Sequence, residues 1–383
     1  MKCLDEYKRI YKEDALDVSF CPYRVCPIGA HSDHNLGKIT GFAINKGINI
    51  AYGISEKMIV NSLDFPDEHS WGIDVEAKEN DWADYLRGAT YYLNKYHKLT
   101  KCIKCVIEGS LPIGGLSSSA AVIISFILAL CEVNDIQLNK QELIEIAFEA
   151  ENKFVGVNVG KLDQSCEVLC KKDHLLYLDT KDNSYKLIRK PDNMKPFDIV
   201  IFYSGLEHSL VSSKFNDRVG ELKHAAKLLG EFVGIEKDNI LCRDVPREVF
   251  DEYKDKLPEE ERLRATHWYT EFERVELGAK AFEEGNIEEY GRLSFESGYS
   301  SINYWQTGAK EQIKLYEIMK ETKGIYGGRF SGAGFKGCCI GLVDPKYTKQ
   351  VIEEVSNKYL ESFPELKDKY QAFVCESADG VKL

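Results

Sequence analysis

The pattern of apolar and polar positions is clearest between residues 102 and 131. Apolar and polar side chains alternate over residues 102–107, and residues 112–119 follow with the sequence PIGGLSSS. Residues 120–131 then carry no charge at all. Alternation, paired glycines and an uncharged run predict, in that order, a strand, a tight turn and a buried helix.

The same periodicities divide the rest of the chain into helices and strands. Residues 1–18 predict an opening helix, because Leu4, Tyr7 and Ile10 fall on one helical face. Residues 230–261 are charged, irregular and contain proline, which indicates a surface excursion. Further helices are expected at residues 81–93, 140–154, 213–232, 263–282, 290–297 and 309–320, strands at 44–50, 197–203 and 338–343, and a closing helix and strand within 346–374.

Length and composition indicate a two-domain cytoplasmic protein. A chain of 383 residues is too long for one typical core, so we expect an N-terminal domain over residues 1–195 and a C-terminal domain over 196–383. The sequence contains neither an uncharged run of about 18 apolar residues nor the apolar core of a signal peptide. The 12 cysteines are therefore expected to be reduced thiols.

Net charge narrows the range of partners. The formal charge is −12 and no basic stripe interrupts it, which argues against nucleic acid, since binding it requires neutralising phosphates. We expect a monomer that acts on small molecules, away from membranes. An anionic ligand would need local cations, helix ends or a metal ion.

The serine-rich turn at residues 112–119 is a candidate anion site. Gly114 and Gly115 allow the backbone to approach a ligand closely, and a helix start presents unpaired N–H groups at the positive end of its dipole. Such a site suits phosphate. The alternative is that Ser117, Ser118 and Ser119 only cap a core helix.

Other polar positions have two interpretations each. The segment with His31, Asp33 and His34 is either a polar surface turn or part of a site, and its spacing is poor for zinc. Trp82, before an aromatic-rich helix, belongs to the core or stacks on a flat base. Asp163, beside a glycine turn, is a cap or a functional carboxylate.

Taken in order, these segments resemble the galactokinase branch of the GHMP kinase superfamily. The pattern G-R-x-N-x-I-G-E-H-x-D-Y is similar to residues 23–34, and P-x-G-G-G-L-S-S-S-A to residues 112–120 with one glycine missing. The pattern A-E-H-x-F-x-G-x-x-x-G-x-x-D-Q resembles residues 150–164, and Y-G-x-R-M-T-G-G-G-F-G-G-C resembles residues 326–338. W-A-N-Y-x-x-G is similar to residues 82–88, and the resemblance extends from about residue 20 to the end.

The resemblance implies an α+β protein with the two-lobed GHMP kinase fold. Its N-terminal lobe would be ribosomal protein S5 domain 2-like, its C-terminal lobe ferredoxin-like, and the site would lie between them. It also implies an ATP-dependent sugar 1-kinase that uses Mg²⁺.

Individual roles follow from the same resemblance. Asp163 and Arg24 are similar to the catalytic pair, and Ser119 with Glu151 to the metal ligands. The residues implied in sugar binding are Ala30, His31, Asp33, Gly160 and Phe215, and those in nucleotide binding are Trp82, Tyr85, Gly114, Gly115, Ser117, Ser118 and Ser119.

Two departures from the family pattern bear on the sugar. Ala30 stands where galactokinases carry a glutamate near C6 of the sugar, and Phe215 where they carry a tyrosine. Two carboxylates about 4 Å apart repel by about 4 kcal/mol at an effective dielectric of 20, whereas one lost hydroxyl contact costs about 1–3 kcal/mol. The change to Ala30 therefore favours a uronic acid, D-galacturonate, and residues 21–34 resemble the galacturonokinase variant.

Two other functions stay open. The first is an ordinary galactokinase acting on D-galactose, and the second a non-catalytic sugar sensor similar to galactokinases. For galacturonate, Lys161 and Lys214 are the candidate counter-ions of the carboxylate.

Overall fold

The computed structural model describes residues 1–206, 211–332, 334 and 337–383, with residues 211–214 as backbone alone. The helices are α1 Lys2–Tyr11, α2 Asp84–His97, α3 Ser118–Val133, α4 Lys140–Glu149, α5 Leu162–Leu169, α6 Val211–Phe232, α7 Arg247–Tyr253, α8 Glu259–Glu283, α9 Ile287–Asn303, α10 Lys310–Glu321 and α11 Thr348–Ser362. The strands are β1 Asp17–Val25, β2 Lys38–Ser55, β3 Met58–Ser62, β4 His69–Trp71, β5 Cys102–Gly109, β6 His174–Asp179, β7 Ser184–Arg189, β8 Asp198–Tyr203, β9 Ile325–Phe330, β10 Cys338–Val343, β11 Gln371–Cys375 and β12 Ser377–Ala378.

The long strand β2 organises the larger sheet of the described residues. The sheet runs β4-β3-β5-β2-β6-β7, and β1 and β12 also pair with β2. Only β3 and β5 pair in parallel within this order. Helix α3 packs on β1 and β2, and most of its apolar side chains from Ala120 to Leu130 are buried in the core of this lobe. Val122 and Leu128 are partly buried. The strand, turn and buried helix expected around residues 102–131 are confirmed.

The second sheet has the order β11-β8-β10-β9, and its pairs are antiparallel. Numbered within the lobe, this is the order 4-1-3-2, and with the long helical segment after its first strand and α11 after its third it is ferredoxin-like. The two-lobed α+β fold is therefore confirmed. The chain then returns to the first lobe, where β12 pairs with β2.

Two local predictions are wrong. The opening helix ends at Tyr11, and Val18 lies in β1, because the segment from Asp17 pairs antiparallel with β2. Residues 230–261 are not a surface excursion, since Ile240, Cys242 and Phe250 are buried against α6 and α8. In both places contacts with distant segments outweigh the local pattern.

The structure also bears on the cysteines and on the apolar helices. All 12 cysteines are buried free thiols, as expected for reduced side chains. Within the described ranges, no helix is both long and apolar enough to cross a bilayer.

Candidate active site

A cavity of about 510 Å³ opens between the two lobes. Its walls come from the loop after β1, the turn before α3, the start of α5 and the Gly-rich segment after β9. Almost every candidate site residue lines it, although the residues are scattered through the sequence. The lining includes Arg24, Ala30, His31, Asp33, Trp82, Tyr85, Gly114, Gly115, Ser117, Ser118, Ser119, Glu151, Gly160, Asp163 and Phe215.

An ion pair joins the two predicted catalytic residues. Arg24 Nε donates to Asp163 Oδ1 at 2.7 Å, and the guanidinium is almost fully buried. Burial is the largest influence and would lower the pKa of Arg24, but the charge of Asp163, the hydrogen bond to it and smaller contributions together raise the pKa above the ordinary value. Arg24 Nη1 also donates to Gly115 O at 3.0 Å. One buried cation therefore fixes both Asp163 and the turn before α3.

The turn before α3 is tight because its glycines touch a second Gly-rich segment. Gly114 and Gly115 have φ of 146° and 80°, a region that favours glycine. A Cβ on Gly114 would lie 2.7 Å from the Cα of Gly337, and one on Gly115 would lie 2.7 Å from Ser331 O. The Gly-rich segment of residues 326–338 thus packs directly against the predicted phosphate turn of residues 112–119. Its residues Ala333, Phe335 and Lys336 lie outside the described residues.

Ser117, at the N-cap position of α3, does not cap the helix with its side chain. Ser117 precedes the helix with φ of 67°, and its side chain makes no capping hydrogen bond. Ser117, Ser118 and Ser119 all line the cavity. The capping interpretation is therefore wrong, and the helix start stays open toward a ligand, as anion binding requires.

Ser119 and Glu151 meet on the cavity wall. Ser119 Oγ donates to Glu151 Oε1 at 2.7 Å, and Gln164 Nε2 donates to Glu151 Oε2 at 2.7 Å. Burial, followed by the charge of Asp163, raises the pKa of Glu151 to about 7. A buried carboxylate whose donors are both neutral is a suitable ligand for a cation. Glu151 lies in a π-helical segment, Ala150–Val155, that continues α4.

The loop after β1 forms the opposite wall, and it is not a surface turn. His31 is 6 % exposed and has φ of 62°, and a short 3₁₀ helix starts at Asp33. Leu162 N donates to Asp33 Oδ2 at 3.2 Å. Burial and the nearby Asp163 raise the pKa of Asp33 to about 6. The ring centroids of Phe215 and His31 lie 6.3 Å apart, so these side chains are neighbours on this wall.

Aromatic side chains form another part of the lining. Trp82 stacks on Phe65, with ring centroids 5.3 Å apart and planes at 11°. Tyr85, Phe65 and Val122 line the same region. Trp82 is half-buried and lines the cavity, a position that suits stacking on a flat base. That stacking stays a prediction.

The sequence did not single out several residues that support the site. His267 bonds to the carbonyl of Ala30 at 3.0 Å, and Glu271 accepts a hydrogen bond from Gly29 N at 2.6 Å. Arg329 donates to Ser297 Oγ at 2.6 Å and is fully buried. Of these, only Arg329 lies within a quoted signature. Helix α8 offers no local signal, because its His267 and Glu271 look like ordinary polar helix residues.

Of the two lysines considered as counter-ions, Lys161 is described and does not line the cavity. Lys161 Nζ pairs with Glu145 and lies over the ring of Phe148. The side chain of Lys214 lies outside the described residues. Among the described lining residues, Arg24 is the only arginine or lysine, and the other basic side chain is the imidazole of His31.

Comparisons with known proteins give matches that extend over nearly the whole chain. Residues 84–171 match the family model of the GHMP kinases N terminal domain, and residues 279–361 match GHMP kinases C terminal. A galacturonokinase from Arabidopsis thaliana is 35% identical, with 96% of this chain and 93% of that protein covered. A galactokinase from Thermotoga neapolitana is 33% identical, with 94% and 98% covered.

Solved structures give the same result for the fold. The crystal structure of Lactococcus lactis galactokinase complexed with galactose has a TM-score of 0.90 and 26% identity, covering 99% of this chain and 98% of that one. The Methanococcus jannaschii mevalonate kinase has a TM-score of 0.68 at 16% identity, which extends the shared fold to more distant proteins.

Proposed function

The chain belongs to the GHMP kinase family, and we propose that it phosphorylates the anomeric hydroxyl of D-galacturonate. At the coarser level it is a sugar 1-kinase of the galactokinase and galacturonokinase type, and ATP is its phosphoryl donor. The observation that carries the choice of sugar is Ala30. It lines the cavity at the position where the galactokinase pattern has a glutamate.

Charge explains why Ala30 favours a uronic acid. A glutamate there would repel the C6 carboxylate by about 4 kcal/mol at about 4 Å and an effective dielectric of 20. Alanine removes that charge and leaves space. The 35% identity to a protein named Galacturonokinase, over nearly the whole of both chains, supports the same sugar.

In this proposal Asp163 accepts the proton of the anomeric hydroxyl. A carboxylate is a far weaker base than a sugar alkoxide. The proton is therefore transferred late, after much of the bond between the transferred phosphoryl group and ADP is broken. Positioning then matters more than basicity. Arg24 supplies it, because its guanidinium bonds both Asp163 and Gly115 O of the phosphate turn. The same charge offsets negative charge on the transferred phosphoryl group.

Ser119 and Glu151 are proposed to hold Mg²⁺. A hydroxyl and a carboxylate are hard oxygen donors, and Mg²⁺ takes one or two protein ligands together with phosphates and water. Glu151 is buried, and its hydrogen-bond donors among the described residues are the neutral side chains of Ser119 and Gln164, which fits this requirement. When bound, the ion neutralises charge on the nucleotide phosphates.

Ordinary galactokinase activity is the second candidate. The relatives named Galactokinase and the high TM-score to the Lactococcus lactis enzyme complexed with galactose favour it. The sensor interpretation has less support, since Arg24, Asp163, Ser119 and Glu151 are all present and adjoin one cavity.

An ADP-release assay separates these functions. Galacturonate, glucuronate, galactose, N-acetylgalactosamine and arabinose are compared at saturating ATP and Mg²⁺. We expect the highest kcat/KM for galacturonate. A higher value for galactose would replace the proposal with galactokinase activity.

A further inference from the structure

Several ring nitrogens beside the sugar loop, residues 26–37 between β1 and β2, are buried without a hydrogen-bond partner in the described part of the chain. They are His31 Nε2, both ring nitrogens of His34, and the indole Nε1 of Trp305. A buried polar atom left unpaired costs about 1–3 kcal/mol, so such a cluster indicates a missing partner.

These nitrogens belong to three neighbouring rings. The centroid of Trp305 lies 5.2 Å from that of His31, with the planes 10° apart, and 5.3 Å from that of His34. Phe215 packs against both histidines, with centroids 6.3 Å and 6.1 Å away. Since His31 and Phe215 line the cavity, the cluster adjoins the predicted sugar end.

Adjacent residues of the same types are fully paired. His267 contacts Ser300 Oγ at 2.8 Å and Ala30 O at 3.0 Å through its two nitrogens. Trp268 Nε1 donates to Ser32 O at 3.1 Å. In this part of the core the unpaired ring nitrogens therefore belong to His31, His34 and Trp305, and of these three residues His31 lines the cavity. Elsewhere in the described residues His69 Nε2 and Trp82 Nε1 are also unpaired.

Burial and a nearby cation keep the imidazole of His31 neutral. Arg329 is fully buried, with its guanidinium held by Ser297 and Ser301. Burial and then Arg329 lower the pKa of His31 well below its ordinary value. A neutral imidazole still donates one hydrogen bond, so His31 can act as an uncharged donor.

We propose that His31, His34 and Trp305 form the subsite that binds the carboxylate of the uronic acid through neutral N–H donors. This inference rests on the proposed function and names the residues that would select its substrate. A carboxylate offers two oxygens and about four acceptor positions, enough for three donors. The hydroxymethyl group of a neutral hexose has a single oxygen and cannot satisfy them. The binding therefore needs no lysine.

Paired tryptophan variants test the subsite. Trp305→Phe removes an unpaired indole N–H, whereas Trp268→Phe removes one that is bonded to Ser32 O, and both rings lie in the same core cluster. A hydrogen bond to a charged group contributes about 1.5–3 kcal/mol, which corresponds to roughly 10- to 100-fold in kcat/KM. We expect Trp305→Phe and His34→Phe to lower kcat/KM for galacturonate at least tenfold more than for galactose. Trp268→Phe should affect both sugars equally.

The outcomes separate this inference from the function on which it rests. A parent enzyme without galacturonate activity would contradict the proposed function. A parent that phosphorylates galacturonate, with variants that keep its galacturonate-to-galactose ratio, would overturn the subsite alone. The same holds if Trp305→Phe lowers both sugars equally.

Indole NMR spectra give a measurement that does not depend on the variants folding. The chain has four tryptophans, so the indole region of a ¹H–¹⁵N spectrum contains few resonances. Galacturonate should shift the resonance of Trp305 more than galactose does, and leave that of Trp71, which is bonded to Thr90, in place. A Trp305 resonance that responds equally to both sugars would overturn the assignment.

Discussion

Gly160 lies against the carboxylate of Asp33, so closely that a Cβ built on the glycine would be 2.2 Å from Asp33 Oδ2 and 2.4 Å from its Cγ. The two residues come from different walls of the cavity, the loop before α5 and the loop after β1. The missing side chain at residue 160 therefore sets the position of the carboxylate that we expect to bind the sugar hydroxyls.

Gly160→Ala should impair sugar binding through this contact. The new methyl group must displace Asp33, so we expect KM for the sugar to rise at least tenfold, with KM for ATP changed much less. Gly72→Ala is the matched control, because a Cβ at Gly72 has no atom within 4 Å. A Gly160→Ala enzyme with the parent's sugar KM would show that Asp33 does not bind the sugar.

Asp163→Asn should leave ATP binding intact while lowering kcat by several orders of magnitude. The change removes the proton acceptor and the charge that holds Arg24, but leaves the phosphate turn in place. ATP affinity by calorimetry and single-turnover kinetics provide the measurement.

The control for Asp163→Asn is Asp179→Asn. Asp179 makes a comparable partly buried pair with Arg243, at 2.6 Å, away from the cavity lining. It should cost stability without a specific loss of kcat. Near-parent turnover by Asp163→Asn would contradict the assigned role.

Glu151→Ala should raise the Mg²⁺ concentration needed for half-maximal activity and weaken ATP binding only when metal is present. The reason is that Glu151 is proposed to contact the ion and not the nucleotide. Glu149→Ala, on the same helix but paired with Tyr96 and Lys153 near the surface, is the control. Equal loss of ATP affinity with and without Mg²⁺ would indicate a structural role at the helix end.

Asp33→Asn should stabilise the protein at pH 7 while lowering kcat/KM for the sugar. Burial and Asp163 raise the folded-state pKa of Asp33 from 3.8 to about 6. The protonated Asp33 therefore contributes its full stabilisation only below about pH 4. As the pH rises through 6 the carboxyl ionises in the folded state, and the free energy of unfolding falls by up to about 3 kcal/mol. Asparagine removes that cost.

Thermal unfolding of parent and Asp33→Asn between pH 4 and pH 7 checks this expectation. The gain in Tm should be largest at pH 7 and shrink toward pH 4. A gain in Tm that is independent of pH would mean that the charge of Asp33 does not cause the loss of stability at pH 7.

Ala30→Glu should reverse the sugar preference. We expect kcat/KM for galacturonate to fall by about two to three orders of magnitude, from about 4 kcal/mol of repulsion reduced by solvent screening. Galactose should lose far less. Ala30→Gln separates charge from size, since it fills the same space without the charge. If Ala30→Glu penalised both sugars equally, residue 30 would shape the loop without contacting C6.

The parts of the site that follow from the sequence are those built by local turns. Gly114, Gly115 and the serines after them are consecutive, so their strand, turn and helix could be predicted from spacing alone. The residues around Asp163 and Glu151 also lie within one short segment, residues 150–164, which is why they could be matched to a family signature. Backbone conformation over a few residues depends mainly on those residues.

The opening helix and residues 230–261 illustrate where this reasoning fails. Val18 lies in a strand because β1 pairs with β2, and Phe250 is buried because α8 packs over it, with its ring stacked on Tyr269. Neither partner is near in sequence. Local periodicity cannot reveal which of two compatible structures a distant element will stabilise.

The sequence by itself determined the family, the fold and the residue types available for catalysis. The reason is that short contiguous motifs identify the family, and the family implies the fold and the catalytic residue types. Only the tertiary structure decided which side chains face one another. Arg24 and Asp163 are 139 positions apart, yet share a 2.7 Å hydrogen bond. Trp305, His34 and His31 meet only because α9 ends beside the sugar loop. Burial and hydrogen-bond satisfaction depend on all surrounding elements at once, so the unpaired nitrogens become visible only in the folded chain.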